Sequence, residues 1–152
     1  MPKIDIGSIP ARSMTIYPGP YAKATEGREK QALGDAVNLT QFGVNLTRLK
    51  PGGGSALKHW HENEDEFVFI LEGEATLEEG DSIETLKAGE AAGFKAGAGV
   101  GHRLINNTDR DVVYLEIGTR AAAESVHYPD ADLHFERINQ SKRLMHKDGT
   151  PY

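Results

Sequence analysis

The sequence predicts an all-β domain, a sandwich or barrel of short strands. Three observations carry that reading. Short apolar and alternating stretches recur at roughly 8–12-residue spacing, as in all-β domains. Glycine (17) and proline (7) stand between them as punctuation. No stretch in the middle of the chain shows a helical, 3.6-residue apolar period.

Taken in order, Val44–Leu49 alternates and stops at Pro51-Gly52-Gly53-Gly54. Glu66–Leu71 is a run of aromatic and β-branched residues ended by Glu72-Gly73. Ala75–Leu77, Ser82–Leu86 and Arg103–Asn106 follow, each bounded by Gly, Asp or Asn. Val112–Ile117 is the last clear strand, before Gly118. Ala121–Glu124 has the composition of one helical turn, too short to stand alone. The predicted organisation is an arm over 1–40, a β-barrel over 41–118 and an extension over 119–152 packed on it. Charged Glu26–Lys30 is assigned to the first arm. Nothing repeats at a fixed period, which excludes a solenoid or propeller.

Composition narrows the function. The 152 residues hold 17 Lys+Arg against 23 Asp+Glu, a net charge of −6, which argues against a nucleic-acid partner. There is no cysteine, so disulfides, thiolate metal sites and thiol nucleophiles are excluded. Phe67–Leu71, the longest apolar run, is far shorter than the ~20 residues of a membrane span. The opening Met1-Pro2-Lys3-Ile4-Asp5 is polar and broken by proline, so no leader and no membrane partner are expected, and the location expected is cytoplasmic.

The chemistry is concentrated in the histidines. His59 and His61, two apart on an extended chain, share a face, and Glu66 shares a strand face with Val68 and Ile70. A bend through Glu62-Asn63-Glu64-Asp65 returns Glu66 to the two imidazoles. His102 follows a glycine-rich loop and is placed to add a third imidazole from a neighbouring strand. Glu62, Glu64 and Asp65 are competing carboxylates, but parity with Val68 and Ile70 favours Glu66. Imidazoles and a carboxylate converging in this way are the composition of a divalent transition-metal site.

The spacing of these residues resembles a known family. Gly53, five residues, His59, one residue, His61, four residues, Glu66, six residues, Gly73 is similar to the first cupin motif at every anchor. Gly89, five residues, Lys95-Ala96-Gly97, then His102, three residues, Asn106 resembles the second. Lys95 stands where that motif usually has proline, and the loop before His102 is longer than the common form. The resemblance implies a cupin-type antiparallel jelly-roll β-barrel with N- and C-terminal arms. It implies a metal (Zn, Mn, Fe, Ni or Co) held by His59, His61, Glu66 and His102.

Beyond the two motifs, Val126–Leu133 and Gly89–Phe94 look like the small bacterial cupins labelled sugar phosphate isomerases. The first functional expectation is therefore a metal-dependent isomerase of a sugar or sugar phosphate. The alternatives are a non-haem iron dioxygenase and a non-catalytic module holding a small molecule in the barrel. Lys58, Lys95 and Arg103 are candidate phosphate contacts, with solvated surface charge as their ordinary role. Tyr114, Glu116, His127 and Asp130 are candidate bases. Tyr114 and Glu116 share a strand face whose bland reading is solvent; His127 and Asp130 have a turn at Pro129 to shape. Trp60 falls opposite the two histidines, as packing or interface. The expected assembly is a homodimer in which the N-terminal arm covers a strand edge.

Overall fold

The computed structural model describes residues 3–152; Met1 and Pro2, which begin the polar opening read above, lie outside the described residues. Twelve strands follow one another: β1 Arg28–Ala32, β2 Phe42–Leu49, β3 Trp60–His61, β4 Glu66–Glu72, β5 Glu74–Glu79 and β6 Ser82–Lys87, then β7 Ala91–Phe94, β8 His102–Ile105, β9 Val112–Thr119, β10 Ala123–His127, β11 His134–Ile138 and β12 Ser141–Met145. Short 3₁₀ helices occupy Ile6–Ser8, Gly19–Thr25 and Asp35–Val37.

Every strand pairing is antiparallel, in three sheets ordered β1-β2-β9-β4-β7, β12-β11-β10-β3 and β6-β5-β8. The closed barrel expected from the resemblance is not formed, because no continuous ladder joins these sheets. After Leu49 the chain reaches Pro51, which has no N–H to give a ladder. From there to His59 only single bridges, Gly54 to Ile105 and His59 to His102, connect it to β8.

The period-2 alternation places the core. Val68 and Ile70 on β4, Val112 and Tyr114 on β9 and Leu49 on β2 face Ala75, Leu77, Leu86 and Leu104 of the three-stranded sheet. A second cluster joins Val126, Tyr128, Leu133 and Phe135 to Tyr17 and Tyr21.

Two departures from the sequence reading concern the ends. Arg28–Ala32, read as charged arm, is an edge strand paired with β2, its residues all half-buried. Ala123–His127 is strand rather than helical turn, and two further strands follow it. Their apolar members, such as Phe135, Leu144 and Met145, are few and stand beside charged residues, and so escape a search for apolar runs. Asn139, at φ 55°, turns the chain between β11 and β12, a conformation asparagine tolerates. No helix of the described residues is long and apolar enough to cross a membrane.

Candidate metal centre

Backbone pairing brings the two histidine segments together. His59 N–H donates to the His102 carbonyl (3.1 Å) and His102 N–H to that of His59 (2.9 Å). His61 is held by pairing with Val126 on β10. Glu66 opens β4 between Phe94 on β7 and Gly118 on β9. Gly118 lets the strands approach closely there: an added Cβ would stand 3.2 Å from the Asp65 carbonyl oxygen, tighter than an ordinary contact.

In the bend before Glu66 its three rivals have other partners, and Glu64 also belongs, with His61 and Glu124, to a second group that could hold a metal ion. Asp65 Oδ1 accepts the Ala96 N–H (2.8 Å), Glu62 Oε1 meets His127 Nε2 (2.6 Å), and Glu64 Oε1 pairs with Arg137 and the Ala121 N–H. Glu66 alone is surrounded by imidazoles. Its Oε2 lies 2.7 Å from His102 Nε2, 3.4 Å from His61 Nε2 and 3.5 Å from His59 Nε2. Ligand atoms of His59, His61 and Glu66 all fall within 4.8 Å of one another; His102 is nearest the carboxylate but outside that mutual limit.

The ring nitrogens are suited to a metal. His59 Nδ1 donates to the Leu57 carbonyl (2.8 Å), which leaves a lone pair on Nε2. His102 Nδ1 is buried without a partner, and its ring stacks on Phe94 with centroids 3.6 Å apart. Its Nε2 therefore carries the proton shared with Glu66, and a cation bound there replaces that proton. Three imidazoles and one carboxylate without thiolates fit a borderline divalent transition metal.

Burial alone would push the Glu66 carboxyl up, but His102, His59 and His61 outweigh it and hold it well below the usual carboxylate range. Burial likewise lowers His102. His61 moves the other way: burial opposes its charge, yet Glu66, Glu124 and Glu64 together raise it.

Glu124, which sequence reasoning missed, joins Glu64, the rival carboxylate named there, beside His61. Their Oε2 atoms lie 3.8 and 3.9 Å from His61 Nδ1, a buried nitrogen with no hydrogen-bond partner. Glu124, its side chain fully buried, also accepts the backbone N–H groups of Glu62 (3.0 Å), Asn63 (3.2 Å) and Ser125 (2.7 Å). Its position in Ala-Ala-Ala-Glu gave no sign of this, because the signal is tertiary.

The four residues line a cavity of about 310 Å³. Tyr114 and Glu116, whose face was read as solvent, point into it; Tyr114 is fully buried and Glu116 takes an ion pair from Lys30 (2.7 Å). Burial pushes the Tyr114 phenol well up, so it stays an O–H. Lys58, Lys95 and Arg103 do not line this cavity: Arg103 Nε binds Glu78 (2.8 Å) and Lys58 Nζ binds the Gly80 carbonyl (2.9 Å). The cations that do line it are Arg28 and Lys30, concealed in sequence by the charged run around them. Trp60 stays out of the cavity and stacks on His127, centroids 4.1 Å apart. Asp130 is exposed.

Comparison with known proteins decides the family. A crystal structure from Silicibacter pomeroyi, described as a sugar phosphate isomerase from a cupin superfamily, is 39% identical over 99% of this chain and 96% of its own, with a TM-score of 0.95. The chain belongs to the cupin superfamily. The cupin domain family model matches residues 45–118. A second structure, from Acidithiobacillus ferrooxidans and provisionally named a sugar phosphate isomerase, is 30% identical over 82% of this cupin and 80% of its own chain, TM-score 0.75. A polyketide cyclase from Streptomyces resistomycificus, at 18% identity over 78% of this chain and 79% of its own, shares the fold, TM-score 0.65. No curated protein matches the cupin at a significant level.

Proposed function

We propose that this cupin is a metal-dependent isomerase of a sugar or sugar phosphate, with His59, His61, Glu66 and His102 as its metal ligands. The observation that carries the reading is the convergence of three Nε2 atoms on one Glu66 oxygen inside a ligand-sized cavity. The isomerase label of the Silicibacter pomeroyi protein supports the reaction class.

A divalent ion held there supplies Lewis acidity toward neighbouring carbonyl and hydroxyl oxygens. The remaining work belongs to the chain. Among the described residues Glu116 is the only carboxylate besides Glu66 lining the cavity, and it is the group assigned to carry the proton. It takes a proton from the carbon bearing the hydroxyl and returns it to the former carbonyl carbon, while the hydroxyl proton passes to the carbonyl oxygen. Lys30, bonded to Glu116 Oε1, orients that carboxylate. Phe94, against His102, and buried Tyr114 keep bulk water from the ligand shell.

The same reading takes the protein as a cytoplasmic homodimer. Exposed Phe67 and Leu71, on the face of β4 opposite core Val68 and Ile70, support a sheet-to-sheet contact between copies. Elemental mass spectrometry of wild type and His59→Ala tests the metal, and proton exchange from D2O into a panel of aldose and ketose phosphates tests the reaction. Near-stoichiometric metal lost in the variant, with exchange abolished by Glu116→Gln, is the expected result. Metal-loaded protein that exchanges no proton on any member of the panel would overturn the isomerase.

A further inference from the structure

We infer that the cavity takes an anionic ligand, a phosphate monoester or a carboxylate, and that Arg28 is the residue that selects for its charge. The inference rests on the cavity being the substrate site proposed above, and it adds both the charge class of the substrate and the residue that reads it.

The first ground is charge. Arg28 and Lys30 are the cations lining the cavity, Glu66 and Glu116 the carboxylates. These balance when no metal is bound, so a divalent ion leaves two positive charges in a half-enclosed space of low dielectric. Such a site costs free energy unless an anion enters with the ligand.

The second ground is the state of each cation. Lys30 is already neutralised by Glu116 at 2.7 Å. Arg28 is not. Its Nη1 donates to the Ser55 carbonyl (2.6 Å) and its Nη2 to the Met14 carbonyl (3.2 Å), while Nε is buried with no acceptor. Carbonyls fix a guanidinium in place without cancelling its charge. Among the described residues Arg28 has no salt-bridge partner, so it is a positioned, uncompensated cation at the cavity wall.

The third ground is geometry. Arg28 is on edge strand β1 and Glu66 on β4, three strands along the same sheet in the order β1-β2-β9-β4. They are also offset along the strands, Arg28 lying level with Val112 of β9 and Glu66 with Gly118, so they stand at opposite ends of the cavity that both line. A ligand whose acidic group reaches the Arg28 end answers that charge; a neutral sugar leaves Arg28 unanswered.

Calorimetric titration of the full chain, zinc-loaded and metal-free, with glucose 6-phosphate, gluconate, glucose and inorganic phosphate tests this. Glucose 6-phosphate or gluconate should bind about ten- to a hundredfold more tightly than glucose, the worth of one charged hydrogen bond. Arg28→Gln should erase that preference and Arg28→Lys should keep part of it, with circular dichroism confirming that both fold. Glu116→Gln frees Lys30 and should tighten anion binding severalfold, a gain that misfolding does not produce. Equal affinity for glucose and its phosphate, or a preference untouched in folded Arg28→Gln, would overturn the inference even if metal and isomerisation are found. Anion selectivity dependent on Arg28 in a protein that exchanges no proton would support it while the isomerase falls. Selectivity for gluconate over glucose 6-phosphate would support it and assign the anion to the carboxylates.

Discussion

Removing the Glu124 carboxylate should damage stability and metal affinity by separable amounts. In Glu124→Ala, three backbone N–H groups, those of Glu62, Asn63 and Ser125, lose a fully buried acceptor. A hydrogen bond to a charged group is worth about 1.5–3 kcal/mol. Water can reach the exposed Glu62–Asn63 turn and recover part of this, so the net loss should be about 3–5 kcal/mol. For a chain of 152 residues that is a fall in Tm of about 10 °C. Glu124→Gln keeps an amide oxygen for those donors and should cost only about 1 kcal/mol. It does remove a negative charge 3.8 Å from His61 Nδ1. Loss of an outer-shell partner typically weakens metal binding 10–100-fold, and at this distance the lower end, about tenfold, is expected. Urea unfolding gives the first quantity and competition with a chromogenic zinc chelator the second. A Glu124→Ala protein within 1 kcal/mol of wild type, or Glu124→Gln with unchanged zinc affinity, would refute the reasoning.

Four further outcomes follow from the same structure. Asn106 is fully buried and donates to the Leu49 (2.9 Å) and Arg110 (2.6 Å) carbonyls, so Asn106→Ala should lose about 2–4 kcal/mol in urea unfolding. Gly73 has φ +79° and an added Cβ would stand 2.5 Å from the Asp111 carbonyl oxygen, so Gly73→Ala should cost more than the roughly 1–2 kcal/mol of a left-handed alanine, measured by urea unfolding. Tyr114 buries a hydroxyl with no partner, and Tyr114→Phe should be neutral or stabilise by about 1 kcal/mol; a clear loss in thermal melts would show that the hydroxyl is bonded. Glu66 has a depressed folded pKa, so its contribution to the metal-free protein is complete above the unfolded value of about 4.3 and is lost as pH falls through the folded value. Melts of wild type against pH should carry an acid limb that is shallower in Glu66→Gln.

The inner strands, and the grouping of His59, His61, Glu66 and His102 at one cavity, were legible because their signals are local. Val68 and Ile70 fix the parity of Glu66, and the two histidine segments carry their spacing in plain sequence. What escaped was set by partners far along the chain. Arg28 and Lys30 look like a solvated charge run until β2 pairs with them and turns one side of the strand inward. Tyr114 and Glu116 share a face, but nothing in Val-Val-Tyr-Leu-Glu-Ile says which face is covered when both sides carry apolar residues. Lys58 and Arg103 lie next to His59 and His102 in sequence, yet Glu78 draws them away from the cavity. Three strands after residue 120 were hidden because charged and polar residues break up their few apolar ones.

The reciprocal hydrogen bonds between His59 and His102 have a consequence for how this fold tolerates change. They tie off the intervening chain as a drawstring closes a bag. The β5–β6 hairpin hangs within that loop and pairs with β8, and its turn is fastened too: Gly80 N–H donates to the Gly101 carbonyl (2.8 Å) and the Gly80 carbonyl accepts Lys58 Nζ (2.9 Å). A peptide tag inserted there should loosen the segment that leads into His102, making that turn a poor place to attach new cargo.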